Sequence, residues 1–371
     1  MPFREVSKLQ QRQQLVYRIR QGWRVSAAAR EAGVSRVTAY KWLRRAEQEG
    51  LEQLAERSRK PGRSPRATAQ ELVRSVLGCK AKYPSFGAKK IVARLWPPRQ
   101  ATAPVSVRTV DRLLQRAGLT QPGAPSSVPC QRFAREASNQ LWQMDFKGLG
   151  KPKLGYWPLS VLDDHARFCL RFEPVATQTQ AAVFAVLWQL FGEFGLPEAI
   201  LTDNGSCFAG TWGQSPSQLE IKLWLLGIRT TQGRPYHPQT QGKVERFHRT
   251  IAAELVALGE PLRQPDIDCA RQVYPRAVHR YNWERPHEAL ALQVPGAVYQ
   301  PSPRPRPAHL PAPQLPLGCP LRKVQPNGEV HYRGRVTRVS TALAGHTLAV
   351  QEDQEGFALR FANVEVGRLK L

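Results

Sequence analysis

Three acidic residues stand where an ordinary solvent-facing carboxylate is a poor explanation. Asp145 lies inside the apolar run Trp142-Gln-Met-Asp-Phe146, and Asp203 follows Ala199–Leu201 directly and precedes an Asn-Gly turn. Glu245 lies in Gly242-Lys-Val-Glu-Arg-Phe-His248. An unpaired carboxylate within an apolar strand is costly, so a compensating cation is implied. Two acids at strands and one on a helix make an all-oxygen donor set suited to Mg²⁺ or Mn²⁺. Two such ions held against phosphate would serve phosphoryl transfer, which asks for in-line geometry and charge stabilisation more than for a side-chain nucleophile. Taken alone, Glu245 reads equally well as one half of an i, i+4 pair with Arg249.

The elements that must hold these acids can be read around them. Pro235 and Pro238 bar a helix, so residues 234–241 form a loop. After Gly242 the residues Val244, Phe247, Ile251, Leu255 and Leu258 fall in one apolar stripe, with Glu245 at its edge and Lys243, Arg246 and Arg249 on other sides. Upstream, strands are expected at Leu141–Lys147 and Tyr156–Leu162, joined by the Gly- and Lys-rich Gly148–Gly155. A third, half-buried strand is expected where Phe168, Leu170 and Phe172 alternate with Arg167, Cys169 and Arg171. Thr177 is expected to cap a helix through Phe191, Ala199–Leu201 to form a buried strand, Ser217–Leu226 a helix and Ile228–Thr231 a strand. Asp266–Asn282 reads as another helix. A three-strand meander followed by alternating helices and strands predicts a mixed sheet covered by helices. Asp163 and Asp164 read as a hairpin turn and are left out of the acidic set.

The flanks carry the charge. The chain has 371 residues and a net charge of +25. Residues 1–137 hold 28 Lys and Arg against 9 Asp and Glu, and the remainder 26 against 20. A polyanionic partner is implied, met mainly by the front third. Residues 4–21 read as a basic helix. Ser26 can cap an Ala-rich helix ending at Gly33, and Ser35 can cap the next, which together predict a helix-turn-helix. On the second helix Ala39, Trp42, Leu43 and Ala46 face inward, while Arg36, Tyr40, Lys41 and Arg44 face outward, where a recognition helix meets the major groove. A plain helical hairpin with a solvated basic face is the alternative. Residues 56–66 form a basic linker. Tyr83–Gly87 reads as a turn, Ala88–Leu95 as a helix, and Ser106–Ala117 as another. The last has Val107, Val110, Leu113 and Leu114 on its apolar side, and together these predict a second helix-turn-helix, with Arg108, Arg112 and Arg116 in a row that is either its DNA-reading face or a solvated one. Residues 119–138 are a linker and 295–320 a Pro-dense, extended tether. Strands at Val330–Tyr332, Arg335–Ser340, Thr347–Gln351 and Ala358–Phe361 suggest a small β-barrel. The expected domains are 1–55, 66–120, 138–294 and 321–371. The six cysteines lie at least 38 positions apart, against a zinc site and for reduced thiols. With no long apolar run and no signal-like start, a cytoplasmic protein without a membrane partner is expected.

Trp142 and Asp145, the Thr-Asp-Asn-Gly of 202–205 and the Pro-Tyr-His-Pro-Gln-Thr-Gln-Gly-Lys-Val-Glu-Arg of 235–246 together resemble the acidic-triad insertion-sequence transposases and retroviral integrases. The resemblance implies a ribonuclease-H-like α/β catalytic core. It further implies Asp145, Asp203 and Glu245 as catalytic metal ligands, with Asn204, His237, Gln239, Lys243 and Arg246 holding DNA near them. It also implies nicking at the ends of a mobile element, then joining of the freed 3′-hydroxyl to target DNA. The leading helix-turn-helix and the C-terminal barrel look like those of related transposases. Tyr281-Asn-Trp-Glu-Arg-Pro-His287 resembles the segment that closes the catalytic domain, where His287 fits a structural hydrogen bond better than a DNA contact. The spacings are 58 and 42 residues; the second is usually a few shorter in that family, and the extra length falls at Gly210–Ser217. Double-stranded DNA is the implied partner, both element ends and target, with at least a dimer assembled on it. A DNA-binding regulator with a non-catalytic integrase-like scaffold, or a plain ribonuclease-H-like nuclease, would share part of this pattern.

Overall fold

Strand β1 (Trp142–Phe146) runs through the middle of a mixed sheet whose order is β3-β2-β1-β4-β5. In the computed structural model, residues 7–57, 67–97, 102–120, 134–148, 155–203, 205–208, 210, 215–232 and 242–370 are described. Strands β2 (Trp157–Asp163) and β3 (Cys169–Val175) continue antiparallel from β1 as a meander. On its other edge β4 (Ala199–Thr202) runs parallel to β1, and β5 (Arg229–Gln232) parallel to β4. This is the expected meander followed by alternating helix and strand. Parallel pairing requires crossovers, supplied by the helices α7 (Gln180–Phe194) and α8 (Gln218–Leu225).

Both faces are covered. Trp142, Met144, Leu159 and Val161 pack with Val183, Leu187, Leu190 and Phe191 of α7 and Leu219 and Leu223 of α8. On the opposite face Leu162, Cys169 and Phe172 pack with Val244, Phe247, Ile251 and Leu255 of α9 (Gly242–Ala257) and Tyr274 and Ala277 of α10 (Ile267–His279). The third strand is therefore not half-buried. Its register with β2 shifts, so that Val161 faces Arg171 but Leu162 faces Cys169. This bulge lets Cys169 and Phe172 turn to one core while Phe168 and Leu170 serve the other. Two caps also differ from expectation. Helix α7 is capped by Thr179 rather than Thr177, and its body runs three residues beyond Phe191. The long helix expected from Asp266 uses that residue as its N-cap and gives way after His279 to a π-helical turn, Arg280–Glu284.

The chain divides into two compact units, Met1–Thr68 and Ala69–Leu371. In the first, α1 (Lys8–Arg20), α2 (Val25–Glu31) and α3 (Arg36–Glu49) close on Leu15, Val16, Ala29, Ala39 and Ala46. Gly33 takes φ +67 between α2 and α3, and Ser35 caps α3 by accepting from the Thr38 amide. Ser26 is not a cap: α2 starts at Val25, behind Arg24.

In the second unit, α4 (Gln70–Lys82), α5 (Ala88–Leu95) and α6 (Val107–Arg116) share a core of Val76, Phe86, Ile91, Val110 and Leu114. Val107, expected on the apolar side of α6, is exposed at its first turn. Residues 96–106 separate α5 from α6, so the three helices form a cluster rather than a helix-turn-helix with a tight turn.

The Pro-dense segment is not a free tether at its start. Beyond a short helix α11 (Pro295–Val298), Ser302 and Arg304 exchange backbone hydrogen bonds with Phe194 and Leu196, and the Arg304 guanidinium reaches the Pro197 and Leu226 carbonyls. Gly195, at φ +78, makes this approach possible; a Cβ there would lie 2.7 Å from the Ser302 carbonyl oxygen. The C-terminal strands are β6 (Leu321–Lys323), β7 (Glu329–Tyr332), β8 (Arg335–Arg338), β9 (Thr347–Asp353), β10 (Gly356–Phe361) and β11 (Val364–Lys370). They form an open sheet, β11-β10-β9-β6, and a separate β7-β8 hairpin around one core, not the closed barrel expected. That core includes Ile221 of α8. Further bonds from Ser340 to the Pro216 carbonyl and from Gln218 to the Ala342 carbonyl dock the module on the start of α8. Among the described residues, no helix is long and apolar enough to cross a membrane.

Asp163 closes β2 rather than lying in the turn, Asp164 opens the turn after it, and both are wholly buried. Asp163 accepts the Asn139 and Ala166 amides, each at 2.7 Å. Asp163→Ala would leave both donors buried and unpaired, so a loss of about 2–4 kcal/mol is expected in urea denaturation. Asp163→Asn, which keeps an acceptor, should lose less. Equal losses would show that the carboxylate's acceptors do not matter.

Candidate metal-dependent site

Adjacent parallel strands bring two of the acids to one end of the sheet. Asp145 stands near the end of β1, opposite Ser160 of β2, and Asp203 directly follows β4. Ligand sites in α/β sheets favour this carboxyl end. The turn after Asp203 is closed by the Gly205 amide, which donates to Asp203 Oδ1 at 2.9 Å. A Cβ at position 205 would lie 2.9 Å from that oxygen, so a larger residue there would push the Asp203 carboxylate aside. Glu245 is exposed in the first turn of α9, flanked by buried Val244 and Phe247, which hold the helix against the sheet.

Electrostatics join the three. Burial pushes the Asp145 carboxyl up to about 7, and the charges of Asp203 and then Glu245 push in the same direction. The Cys207 thiol, also buried, is raised to about 11, with Asp203 and Asp145 contributing. The three acids thus share one field. Even so, among the described residues no three His, Cys, Asp or Glu side chains are grouped closely enough to hold a metal ion. The field is the better guide to fit: an all-oxygen set whose negative charge Lys147 offsets only in part suits a hard divalent cation.

His248, one turn beyond Glu245, was not singled out from sequence. Its Nε2 bonds Ser160 Oγ at 2.8 Å, while Ser160 donates its one hydroxyl proton to the Asp145 carbonyl at 2.8 Å. Nε2 must therefore carry the ring proton, leaving Nδ1 bare at 3.8 Å from Asp145 Oδ2. Burial, with the charge of Lys147, holds the imidazole down at about 3, so it is neutral and supplies no countercharge. Its i+3 spacing from Glu245 was the available signal.

Of the other residues singled out, Arg36, Tyr40, Lys41 and Arg44 lie together on the exposed face of α3. Arg108 and Arg112 are exposed on α6, and Arg246 on α9. Lys243 is turned instead onto buried Asp164, in an ion pair that leaves its side chain only 16% exposed. That pair corrects its assignment as a DNA-holding side chain and explains why Asp164 tolerates burial. Gln143 and the Arg135 amide complete the Asp164 shell. His287 is held against Tyr281, ring centroids 4.8 Å apart, and burial lowers it to about 3. Asn204, His237 and Gln239 lie outside the described residues, as do part of the 210–217 insertion and the loop at 233–241.

Removing the charge of Asp145 should stabilise the metal-free protein. A carboxyl raised from 3.8 to about 7 opposes folding fully above pH 7. The penalty shrinks as pH falls through that window and vanishes below it. Asp145→Asn is therefore expected to gain about 1–3 kcal/mol at pH 8 in chelator, and nothing near pH 4. Thermal or urea unfolding at both values checks this; a destabilised variant at pH 8 would contradict it.

Comparison with known proteins matches an integrase core domain over residues 135–238 and again over 226–295. Residues 5–80 match the leucine-zipper of insertion element IS481. The chain is 33% identical over 118 residues to the Pol polyprotein of Radiation murine leukemia virus (strain Kaplan), covering 32% of this chain and 19% of that one. It is 30% identical over 165 residues to the Gag-Pol polyprotein of Baboon endogenous virus (strain M7), covering 43% and 9%. It spans less than a fifth of either polyprotein. Among solved structures, the catalytic core domain of BIV integrase aligns with a TM-score of 0.34 and 24% identity, covering 43% of this chain and 93% of that one. Residues 135–295 thus match an integrase core domain, behind a leading segment that matches the leucine-zipper of insertion element IS481.

Proposed function

We propose that the protein binds the ends of a mobile DNA element and catalyses metal-dependent strand cleavage and strand transfer. The observation that carries this is the Asp145 carboxyl, buried beside Asp203 and within the field of Glu245, where the charge of Lys147 offsets the burial and the repulsion only in part. Repulsion of this kind stores a demand for cations that a scaffold would have no reason to keep.

In this reading Asp145, Asp203 and Glu245 hold Mg²⁺ or Mn²⁺, two ions by the logic of in-line displacement. When bound, the metal would supply the charge that activates water or a DNA 3′-hydroxyl and stabilises the leaving oxygen. The protein's part is placement. Strands β1 and β4 fix Asp145 and Asp203 rigidly, and α9 presents Glu245 from the sheet's edge. The Ser160 hydroxyl, itself held by His248 Nε2, fixes the β1 backbone at Asp145 without adding charge. Arg246, exposed beside Glu245, and Arg249, one turn on, are suited to DNA phosphate. The exposed face of α3 (Arg36, Tyr40, Lys41, Arg44) and the α6 row (Arg108, Arg112) are suited to end recognition. Because two element ends must be joined and each chain carries one acidic set, the active complex holds at least two chains.

Cleavage of a labelled element end in Mg²⁺ tests this. Asp145→Asn, Asp203→Asn and Glu245→Gln should each lower the rate by about 10³-fold or more while end binding stays near wild type. Light scattering on the active complex should give at least two chains. Wild-type cleavage by any one variant removes that residue from the set. End binding by the native chain with no metal-dependent nicking would instead favour a DNA-binding regulator built on the same scaffold.

A further inference from the structure

The turn Tyr83-Pro-Ser-Phe-Gly87 between α4 and α5 takes no part in the site described above, yet it is locked to the helix that carries Glu245. Glu254 lies nine residues after Glu245 on α9, about 13 Å along the axis, and its side chain is fully buried. It pairs with Arg285 through Oε1 and sits 3.4 Å from Arg280 Nε through Oε2. One carboxylate between two guanidinium groups is not neutral, and the balance comes from the turn and its surroundings. Ser85 Oγ donates to Glu254 Oε1 at 2.8 Å and accepts from Arg285 at 2.8 Å. Arg280 donates to the Lys82 carbonyl at 2.9 Å and lies 4.9 Å over the Tyr83 ring. Arg285 lies 5.3 Å over Phe86, which is stacked on Tyr83. The Tyr83 hydroxyl donates to Glu284 at 2.5 Å, bringing a second carboxylate to the second arginine's neighbourhood.

Every ion in this cluster takes part of its satisfaction from residues 82–86. Lifting the turn away would strand buried charge, which is strongly unfavourable. Helices α4 and α5 therefore cannot swing on α9 as a hinged domain would. Helix α6 is packed onto α4 and α5 through Val76, Ile91, Val110 and Leu114, so its exposed arginines are held at a set distance from Glu245.

We infer that this interlock is a ruler: Tyr83, Ser85 and Glu254 act as positioning residues that fix the offset between the base pairs met by α6 and the phosphodiester that is cut. The inference rests on the proposed transposase reading and deepens it, assigning a determinant of cleavage position to residues remote from the reacting atoms.

The test uses the full chain and an element-end duplex in Mg²⁺, with nick positions mapped at nucleotide resolution. The pair Tyr83→Phe with Ser85→Ala removes two hydroxyl groups and leaves every charge in place; Glu254→Gln is the stronger variant. Both should spread the nick over neighbouring phosphodiesters, lowering the fraction at the native position by about tenfold, with end affinity within about twofold of wild type. Arg108→Ala should do the reverse, weakening binding without moving the nick. Lower total cleavage at an unmoved position would assign the cluster to stability alone and overturn the ruler. Should the native chain nick no DNA, the transposase reading fails, and hydrogen exchange of the same variants still decides the interlock. Exchange about tenfold faster in both 83–95 and 242–257 supports mechanical coupling; unchanged exchange in 242–257 overturns it.

Discussion

The cost of keeping a carboxylate inside an apolar strand governs how this molecule is built. Asp145 is flanked in sequence by Met144 and Phe146 and sits in a sheet covered on both faces, so water cannot solvate its charge freely. Strand β1 still places it next to Asp203, and α9 brings Glu245 into the same field. Each of those choices makes ionisation harder. The structure accepts this strain and surrounds it with neutral supports: the Ser160 hydroxyl, and a histidine held uncharged by its own burial.

Elsewhere the same problem is solved by pairing within the chain. Asp164 receives Lys243, and Asp163 receives two backbone amides. Glu254 is shared by two arginines and completed by the turn from the preceding helices. In a protein of such high positive charge, buried acids serve as anchors around which basic residues are fixed, and those fixed residues are not available to an anionic partner. Lys243 shows the exchange most clearly, since its position beside Glu245 suggests phosphate while its side chain is spent on holding a turn. The acidic set at the end of β1 and β4 is the exception, and the proposed metal-dependent function rests on it.

Much of this could be read from sequence because local pattern sufficed. Helix α9 follows from its apolar stripe, α5 from the turn before it, and the α3 cap from Ser35. The sheet's mixed order follows from three strands and then alternation. What escaped depended on contacts between distant segments. The bulge that buries β3 on both faces is a register shift with no residue signature. Asp163 and Asp164 look like any acidic turn until Asn139 and Lys243 are brought to them. Glu254 appears as a routine helical glutamate because its partners lie about 30 and 170 residues away. The C-terminal module was expected to hang on a proline tether, since proline content says nothing about the carbonyls to which Arg304 is bound. Its open sheet replaces the expected barrel because β6 pairs only with β9 among the described strands.

The central claim is that Asp145, Asp203 and Glu245 are held in mutual repulsion until a divalent cation enters. Proton release on metal binding measures that directly, because a carboxyl pushed up to about 7 must lose its proton when it becomes a ligand. Calorimetric titration of Mg²⁺ in two buffers of different ionisation enthalpy gives the number of protons released. The account predicts about half a proton per chain at pH 7, falling towards about a tenth at pH 8, and abolished in Asp145→Asn. Binding with no proton release at pH 7, or release that survives in Asp145→Asn, would contradict it.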